Sequence, residues 1–100
     1  MNPAFANAVE MLPMPRTEFT AAQLDGTACP WCAQPPQVPL GPRLRVTEGR
    51  LDRWFPHACL PCTQREAARV HAVHVTVCPR CTHRDYCPDA RALRSLALAS

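Results

Sequence analysis

A small α+β fold is predicted by three features of this 100-residue sequence. Apolar and polar residues alternate on both sides of a Glu-Gly turn signal, which is typical of a β-hairpin, and a helical segment follows. Three Cys-x-x-Cys pairs stand before the hairpin, between the hairpin and the helix, and after the helix. Because two intervening residues let a tight turn aim both sulfurs at one ion, these pairs indicate that bound metal stabilises the fold.

The candidate metal ligands include all seven cysteines, which are Cys29, Cys32, Cys59, Cys62, Cys78, Cys81 and Cys87. A disulfide framework would leave one thiol over, whereas two four-coordinate sites take all seven cysteines and one histidine. Only 6% of the residues are aromatic and 12 are proline, so the apolar core is thin. Zinc supplies about 10–16 kcal/mol of folding free energy in finger peptides, and we expect two zinc ions to hold this chain folded.

The formal net charge of +3 does not by itself indicate a nucleic-acid partner. Zinc-bound cysteines are thiolates, so seven thiolates and two zinc ions bring the net charge to about zero. All 11 basic residues are arginine, whose planar fork suits phosphate and guanine edges. A GC-rich genome, which favours arginine and alanine codons together, is the alternative explanation for this composition.

The first residues carry neither a basic start nor a long apolar run, so we expect no signal peptide. No stretch is apolar over the length that spans a bilayer, and we expect no membrane partner. Because reduced cysteines persist in a reducing compartment, the sequence predicts a cytoplasmic protein.

Two regions are predicted along the chain, a flexible arm over residues 1–28 and a two-site zinc-binding domain over residues 29–100. The arm contains no cysteine and is interrupted by prolines. A short helix within it is the alternative, with Thr17 as its N-cap and Asp25-Gly26 at its end.

The hairpin is predicted after a proline-rich connector over residues 34–42, which we expect to run extended. Its two strands lie within residues 44–55 and meet at the turn Glu48-Gly49. A two-residue turn at this position pairs Val46 with Leu51 and Arg45 with Asp52 across the strands.

The central helix is predicted over residues 63–74, directly after the second cysteine pair. Thr63 and Glu66 have the spacing of a capping box, which would place Thr63 at the N-cap. Arg65 and Arg69 are one turn apart and are expected on one exposed face.

The order of knuckle, hairpin, knuckle and helix resembles that of a treble-clef or zinc-ribbon-like zinc finger over residues 29–74. This resemblance implies that the first site is formed by two ligands from the first knuckle and two from the start of the helix. Carried over, these ligands are Cys29, Cys32, Cys59 and Cys62. Many such knuckles have glycine after the second cysteine, and here Ala33 and Thr63 stand at those positions.

The second site is predicted around Cys78, Cys81 and Cys87, which need a fourth ligand. His74 is favoured because it precedes Cys78 by four residues near the end of the helix. His71 and His83 remain alternatives, as do a three-ligand site with water and no site at all. His57 lies near the first site, where a supporting or surface role is expected.

A short closing helix is predicted over residues 90–98. Its Leu93 and Leu96 are expected to pack on the central helix through Val70 and Val73. These apolar positions are interpreted as core rather than as a cofactor-binding surface.

The spacing Cys78-x2-Cys81-x5-Cys87, with Trp54-Phe-Pro ahead of it, also resembles that of the WhiB-like proteins. This second resemblance implies an iron–sulfur cluster held by four cysteines, redox sensing, and partnership with a sigma factor or DNA. The Gly-rich, Trp-containing turn that follows the last cysteine in that family is absent from this sequence.

Function is expected to be non-enzymatic, because neither Glu48 in a turn nor Glu66 near a helix start is placed as an acid or base beside an open metal position. No small-molecule substrate is expected. The leading hypothesis is a regulatory, transcription-related module that binds DNA or RNA. Its candidate contact residues are Arg43, Arg45, Arg50, Arg53, Gln64, Arg65 and Arg69.

The alternative is an adaptor that binds a protein partner. In that case the proline-rich connector and the aromatic residues Trp31, Trp54 and Phe55 supply contact area. The same aromatic residues could instead cover the thiolates and form the small core.

Overall fold

The computed structural model describes residues 8–15 and 18–99 of the chain. It shows a small α+β fold, as predicted from the sequence. In chain order the elements are α1 (Ala21–Asp25), β1 (Val38–Pro39), β2 (Arg43–Thr47), β3 (Arg50–Trp54), β4 (His57–Ala58), α2 (Leu60–Val77), α3 (Pro79–Thr82) and α4 (Pro88–Ala97). No helix among the described residues has both the length and the apolar character that crossing a membrane requires.

The chain divides into two compact units. One comprises Pro13–Cys62, and the other comprises Thr63–Ser100 with the described residues of Met1–Leu12. The prediction of a flexible arm over residues 1–28 stays a prediction. Its described residues include the helix α1, which was the alternative for this region. They also include the buried side chains of Ala8, Val9 and Leu12, whose burial the sequence did not indicate.

The predicted hairpin is confirmed with its register in the Pro13–Cys62 unit. Strands β2 and β3 pair antiparallel, with Val46 opposite Leu51 and Arg45 opposite Asp52. Glu48 and Gly49 have φ of 52° and 77°. Both turn residues therefore adopt the positive φ that a two-residue type I′ hairpin turn requires.

A second antiparallel pair, β1 with β4, joins the proline-rich connector to the segment before the second cysteine pair. Val38 lies opposite Ala58 and Pro39 opposite His57. Leu40, which follows β1, is fully buried. The connector is extended here as predicted, but the pairing was not predicted, since two-residue strands carry no periodic signal.

Helix α1 begins one turn later than the sequence suggested. Thr20 is its N-cap: the Thr20 hydroxyl accepts from the Gln23 N–H at 3.2 Å, and the Gln23 side chain accepts from the Thr20 N–H at 2.9 Å. The buried Gln23 also donates from Nε2 to the carbonyl of Cys29 at 3.1 Å. The N-cap prediction for Thr17 is therefore wrong, because the reciprocal capping bonds form around Thr20; Thr17 itself lies outside the described residues.

Gly26 and Gly49 have similar positive φ angles but different surroundings, so replacing each by alanine tests the close packing of Gly26 against His57. Gly26, with φ of 81°, ends α1, and a Cβ there would lie 2.6 Å from Nδ1 of His57. Gly49, with φ of 77°, has nothing within 4 Å of such a Cβ. Gly49→Ala is expected to lower the free energy of unfolding by about 1 kcal/mol through backbone strain alone. Gly26→Ala adds a clash and is expected to lower it by more, measured by urea unfolding; equal losses would contradict this contact.

The central helix α2 begins earlier than predicted, at Leu60 rather than after Thr63. Its first N–H, from Leu60, donates to Oε1 of Gln37 at 2.9 Å. Thr63 is fully buried inside the helix, and Glu66 is 5% exposed. The predicted Thr63–Glu66 capping box is therefore wrong, because Pro61 is compatible with a first helical turn and Gln37 supplies an acceptor from a distant segment.

The exposed face predicted on α2 is confirmed in the Thr63–Ser100 unit. The side chains of Arg65 and Arg69 are 63% and 72% exposed. Both approach the carboxylate of Glu66, at 3.5 Å and 3.8 Å. Glu66, far from capping the helix, is the shared counter-ion of these two arginines.

The closing helix α4 buries Leu93 and Leu96, as predicted, together with Ala92. Val73 is 60% exposed, so its predicted place in the core is wrong. The side-chain amide of Gln64 on α2 donates to the carbonyl of Ala99, just beyond α4. The apolar face of α4 is therefore buried as predicted, but Val73 is not part of the core that it packs into.

Candidate metal centres

The first candidate centre brings together Cys29, Cys32, Cys59 and Cys62. Their four sulfurs all lie within 4.8 Å of one another, and Sγ of Cys32 is 3.5 Å from Sγ of Cys59. All four cysteines are free thiols rather than disulfides. A tetrahedral zinc ion with bonds of about 2.3 Å separates its sulfur ligands by about 3.8 Å, so the observed spacing fits a zinc shell.

The first knuckle is a tight backbone turn. The Ala33 N–H donates to the Cys29 carbonyl at 2.8 Å, and the Cys29 N–H donates to the Gln34 carbonyl at 2.9 Å. Ala33 has φ of 64°, the left-handed conformation for which glycine is common after such a cysteine pair. Ala33 therefore adopts a backbone conformation that costs an alanine about 1 kcal/mol and that glycine would adopt without this cost.

The second pair straddles the start of α2. Cys59 stands just before the helix, and Cys62 lies in its first turn. Cys29, Cys59 and Cys62 are buried, whereas Cys32 is exposed. A strand end and a helical turn therefore present two buried sulfurs to the knuckle that carries Cys29 and Cys32.

In the first centre, the pKa values of Cys29, Cys59 and Cys62 are shifted in different directions. Burial opposes ionisation of Cys29, but backbone N–H groups of Cys59, Cys32 and Trp31 outweigh it and lower the pKa of this thiol. Burial raises the pKa of Cys59 and of Cys62, and neighbouring sulfurs raise the Cys62 value further. A metal ion that binds here displaces protons from the high-pKa thiols, so its affinity falls as the pH is lowered.

The second candidate centre brings His74 to Cys78, Cys81 and Cys87. Their ligand atoms also lie within 4.8 Å of one another. Nε2 of His74 is 3.3 Å from Sγ of Cys87, and Sγ of Cys78 is 3.9 Å from the same sulfur. These distances again suit one tetrahedral ion.

Helix ends position this second group. His74 lies in the last turn of α2, and the Cys78 N–H donates to the His74 carbonyl at 2.9 Å. Cys78 is the N-cap of the unpredicted helix α3, which carries Cys81, and Cys87 is the N-cap of α4. Backbone N–H of Cys81 lowers the pKa of Cys78, whereas desolvation, followed by the neighbouring sulfurs of Cys87 and Cys78, raises the pKa of Cys81 to about 11.

The other histidines stand apart from the two groups in the described part of the chain. Neither His71 nor His83 belongs to a candidate ligand cluster. The histidine that lies with the three cysteines is His74, which the spacing favoured. Nδ1 of His57 lies 3.0 Å from the carbonyl of Phe55.

The residues predicted to contact nucleic acid are distributed over both units. On the hairpin, Arg50 and Arg53 are exposed, while Arg43 and Arg45 are half-buried. On α2, Arg65 and Arg69 are exposed and share Glu66, and the amide of Gln64 is engaged with Ala99.

No protein-family model, curated protein or solved structure matches this chain. Functional inference therefore depends on the two Cys/His groups and on the surfaces of each unit.

Proposed function

We propose that the chain is a non-enzymatic module held together by two structural zinc ions, one with four cysteines and one with three cysteines and a histidine. The observation that carries this proposal is that all eight predicted ligands fall into two groups of four, in each of which the ligand atoms lie within 4.8 Å of one another. The order of elements around the first group supports a treble-clef-like finger, because its last two ligands flank the start of α2. Four protein ligands per ion leave no open position for catalysis.

The grouping favours zinc over an iron–sulfur cluster. The WhiB-like resemblance implies four cysteines around one cluster. Here Cys78, Cys81 and Cys87 are joined by His74, and the other four cysteines form a group of their own. Mixed thiolate and imidazole sets of four are common structural zinc sites.

Protein purified without air is expected to contain two zinc ions per chain. Zinc has a filled d shell, so such protein is expected to be colourless. Elemental analysis together with an absorption spectrum checks this result. Iron with sulfide and a brown chromophore would overturn the proposal and make redox sensing the leading function.

We further propose that this module binds nucleic acid. The support is the set of exposed arginines that the fold presents, Arg50 and Arg53 on the hairpin and Arg65 and Arg69 on α2. Exposed guanidinium groups suit phosphate contacts, which are sequence-independent and sensitive to salt. Because Glu66 neutralises part of the charge on α2, the contribution of Arg65 and Arg69 is expected to be modest.

The double variant Arg65→Ala/Arg69→Ala is expected to reduce retention on immobilised DNA and to flatten its dependence on salt. The slope of log affinity against log salt should fall by less than about 2, since the two arginines share a counter-ion. Arg80→Ala/Arg84→Ala removes the same charge elsewhere in the unit and serves as the control. Unchanged retention of the first variant would exclude α2 from the interface.

A second candidate function, binding of a protein partner, is supported by the exposed face of the hairpin. Leu44, Val46 and Leu51 lie on one face of β2 and β3 and are 65%, 71% and 67% exposed. They line a cavity of about 330 Å³ with Met14, Phe19, Arg45 and Trp54. An apolar face turned to solvent is the kind of surface that a protein partner covers.

A further inference from the structure

A groove of about 510 Å³ lies on the Thr63–Ser100 unit, and none of the arginines predicted to contact nucleic acid lines it. Its lining residues are His71, Ala90, Arg91, Arg94, Ser95 and Leu98. Positions 91, 94 and 95 share one face of α4, and position 98, just beyond the end of the helix, continues the same spacing. The opposite face carries the buried Ala92, Leu93 and Leu96, so the groove occupies the solvent side of this helix.

The chemistry of the groove favours an anion. Two guanidinium groups, an imidazole and a hydroxyl line it, and no carboxylate residue is among the lining residues. The described residues give neither Arg91 nor Arg94 a carboxylate partner, whereas Arg65 and Arg69 share Glu66. Two neighbouring guanidinium groups on one wall of the groove suit a phosphate group, which accepts hydrogen bonds from guanidinium N–H donors.

An aromatic side chain lies beside this wall. Tyr86 is 67% exposed, and the guanidinium carbon of Arg91 is 6.0 Å from the centroid of its ring. Proteins that bind single strands combine a basic groove for the backbone with exposed aromatic rings on which bases stack. Tyr86, Arg91 and Arg94 provide both features within one stretch of the chain.

We propose that this groove binds the phosphodiester backbone of a single-stranded nucleic acid, with a neighbouring base stacked on Tyr86. The proposal rests on the nucleic-acid function proposed above. It assigns the principal phosphate contacts to Arg91 and Arg94, which have no carboxylate partner among the residues that the structure describes.

The test uses the full zinc-loaded chain and a fluorescent single-stranded oligonucleotide, with binding followed by anisotropy at several salt concentrations. Arg91→Ala/Arg94→Ala is expected to weaken binding and to lower the salt slope by about 1.4, the value for two phosphate contacts on a single strand. Arg91→Lys/Arg94→Lys keeps the charge and should keep the slope. Arg80→Ala/Arg84→Ala removes equal charge outside the groove and should change the slope little.

Stacking is tested separately at Tyr86. Tyr86→Ala is expected to lower affinity for the single strand about 5- to 150-fold, the range found for loss of one base–aromatic stack, whereas Tyr86→Phe retains the ring and the affinity. Zinc content of two per chain in each variant shows that the fold is kept.

The outcomes separate this proposal from the function on which it rests. If the unsubstituted chain binds no oligonucleotide at low salt, the nucleic-acid function and the groove proposal both fall. If it binds and Arg91→Ala/Arg94→Ala binds equally well, only the groove proposal is overturned. Equal affinity of Tyr86→Ala for the oligonucleotide would also overturn the groove proposal, because no base would then stack on Tyr86. Full competition by an equal concentration of pyrophosphate would overturn it as well, because a small phosphate compound would then suffice as the ligand.

Discussion

Cys62→Ser is expected to halve the zinc content, from two ions per chain to one, and to unfold the Pro13–Cys62 unit. Cys62 is buried in the first turn of α2, where its sulfur completes the first group of four. A structural zinc ion contributes about 10–16 kcal/mol to folding, which is as large as the whole stability of an ordinary domain, about 5–15 kcal/mol. Elemental analysis and far-UV circular dichroism measure the two effects.

Ala68→Ser is the control for this substitution. Ala68 lies on an exposed position of the same helix and belongs to neither candidate centre, so this variant should keep two zinc ions. Two tightly held zinc ions in Cys62→Ser would show that the first group does not act as a four-ligand site.

His74→Ala is expected to weaken zinc binding at the second centre and to leave zinc binding at the first centre unchanged. The imidazole of His74 lies against Cys87 and is the fourth candidate ligand of its group. Without it the three cysteines must share the ion with water, and competition with a chromogenic chelator should then remove one zinc per chain far more readily. His74→Cys restores a fourth ligand and is expected to retain both ions.

The two other histidines that the sequence left open serve as controls. His71→Ala and His83→Ala each remove an imidazole from the same unit, and both should retain two ions because neither residue lies in a ligand group. Loss of one zinc in His83→Ala, with retention in His74→Ala, would reverse the assignment.

The hairpin and the ligand groups could be predicted because their determinants are local. The register across β2 and β3 follows from a two-residue turn at Glu48-Gly49, and ligand spacing follows from the reach of Cys-x-x-Cys. His74 could be favoured over its neighbours because it precedes Cys78 by four positions, and the Cys78 N–H does donate to the His74 carbonyl.

The predictions of the start of α2 and of the role of Glu66 are wrong because they depend on contacts between residues distant in sequence, or on a cysteine pair that is partly inside the helix. The start of α2 was misplaced because the second Cys-x-x-Cys was interpreted as a turn ahead of the helix, whereas Cys62 lies within it. The acceptor at that helix start is Gln37, which belongs to the connector 23 residues away. Glu66 has the spacing of a capping residue, and only the structure shows that it is buried beside Arg65 and Arg69.

The unequal exposure of the first group also bears on how fast its ion exchanges. Cys32 is the one exposed residue of this group, while Cys29, Cys59 and Cys62 are buried. A chelating agent, an oxidant or a metal donor in solution therefore meets Cys32 first, since reactivity of a thiolate follows its accessibility. Binding and release of an ion at this centre are therefore expected to begin at Cys32. An ion that is bound tightly at equilibrium can then still exchange rapidly.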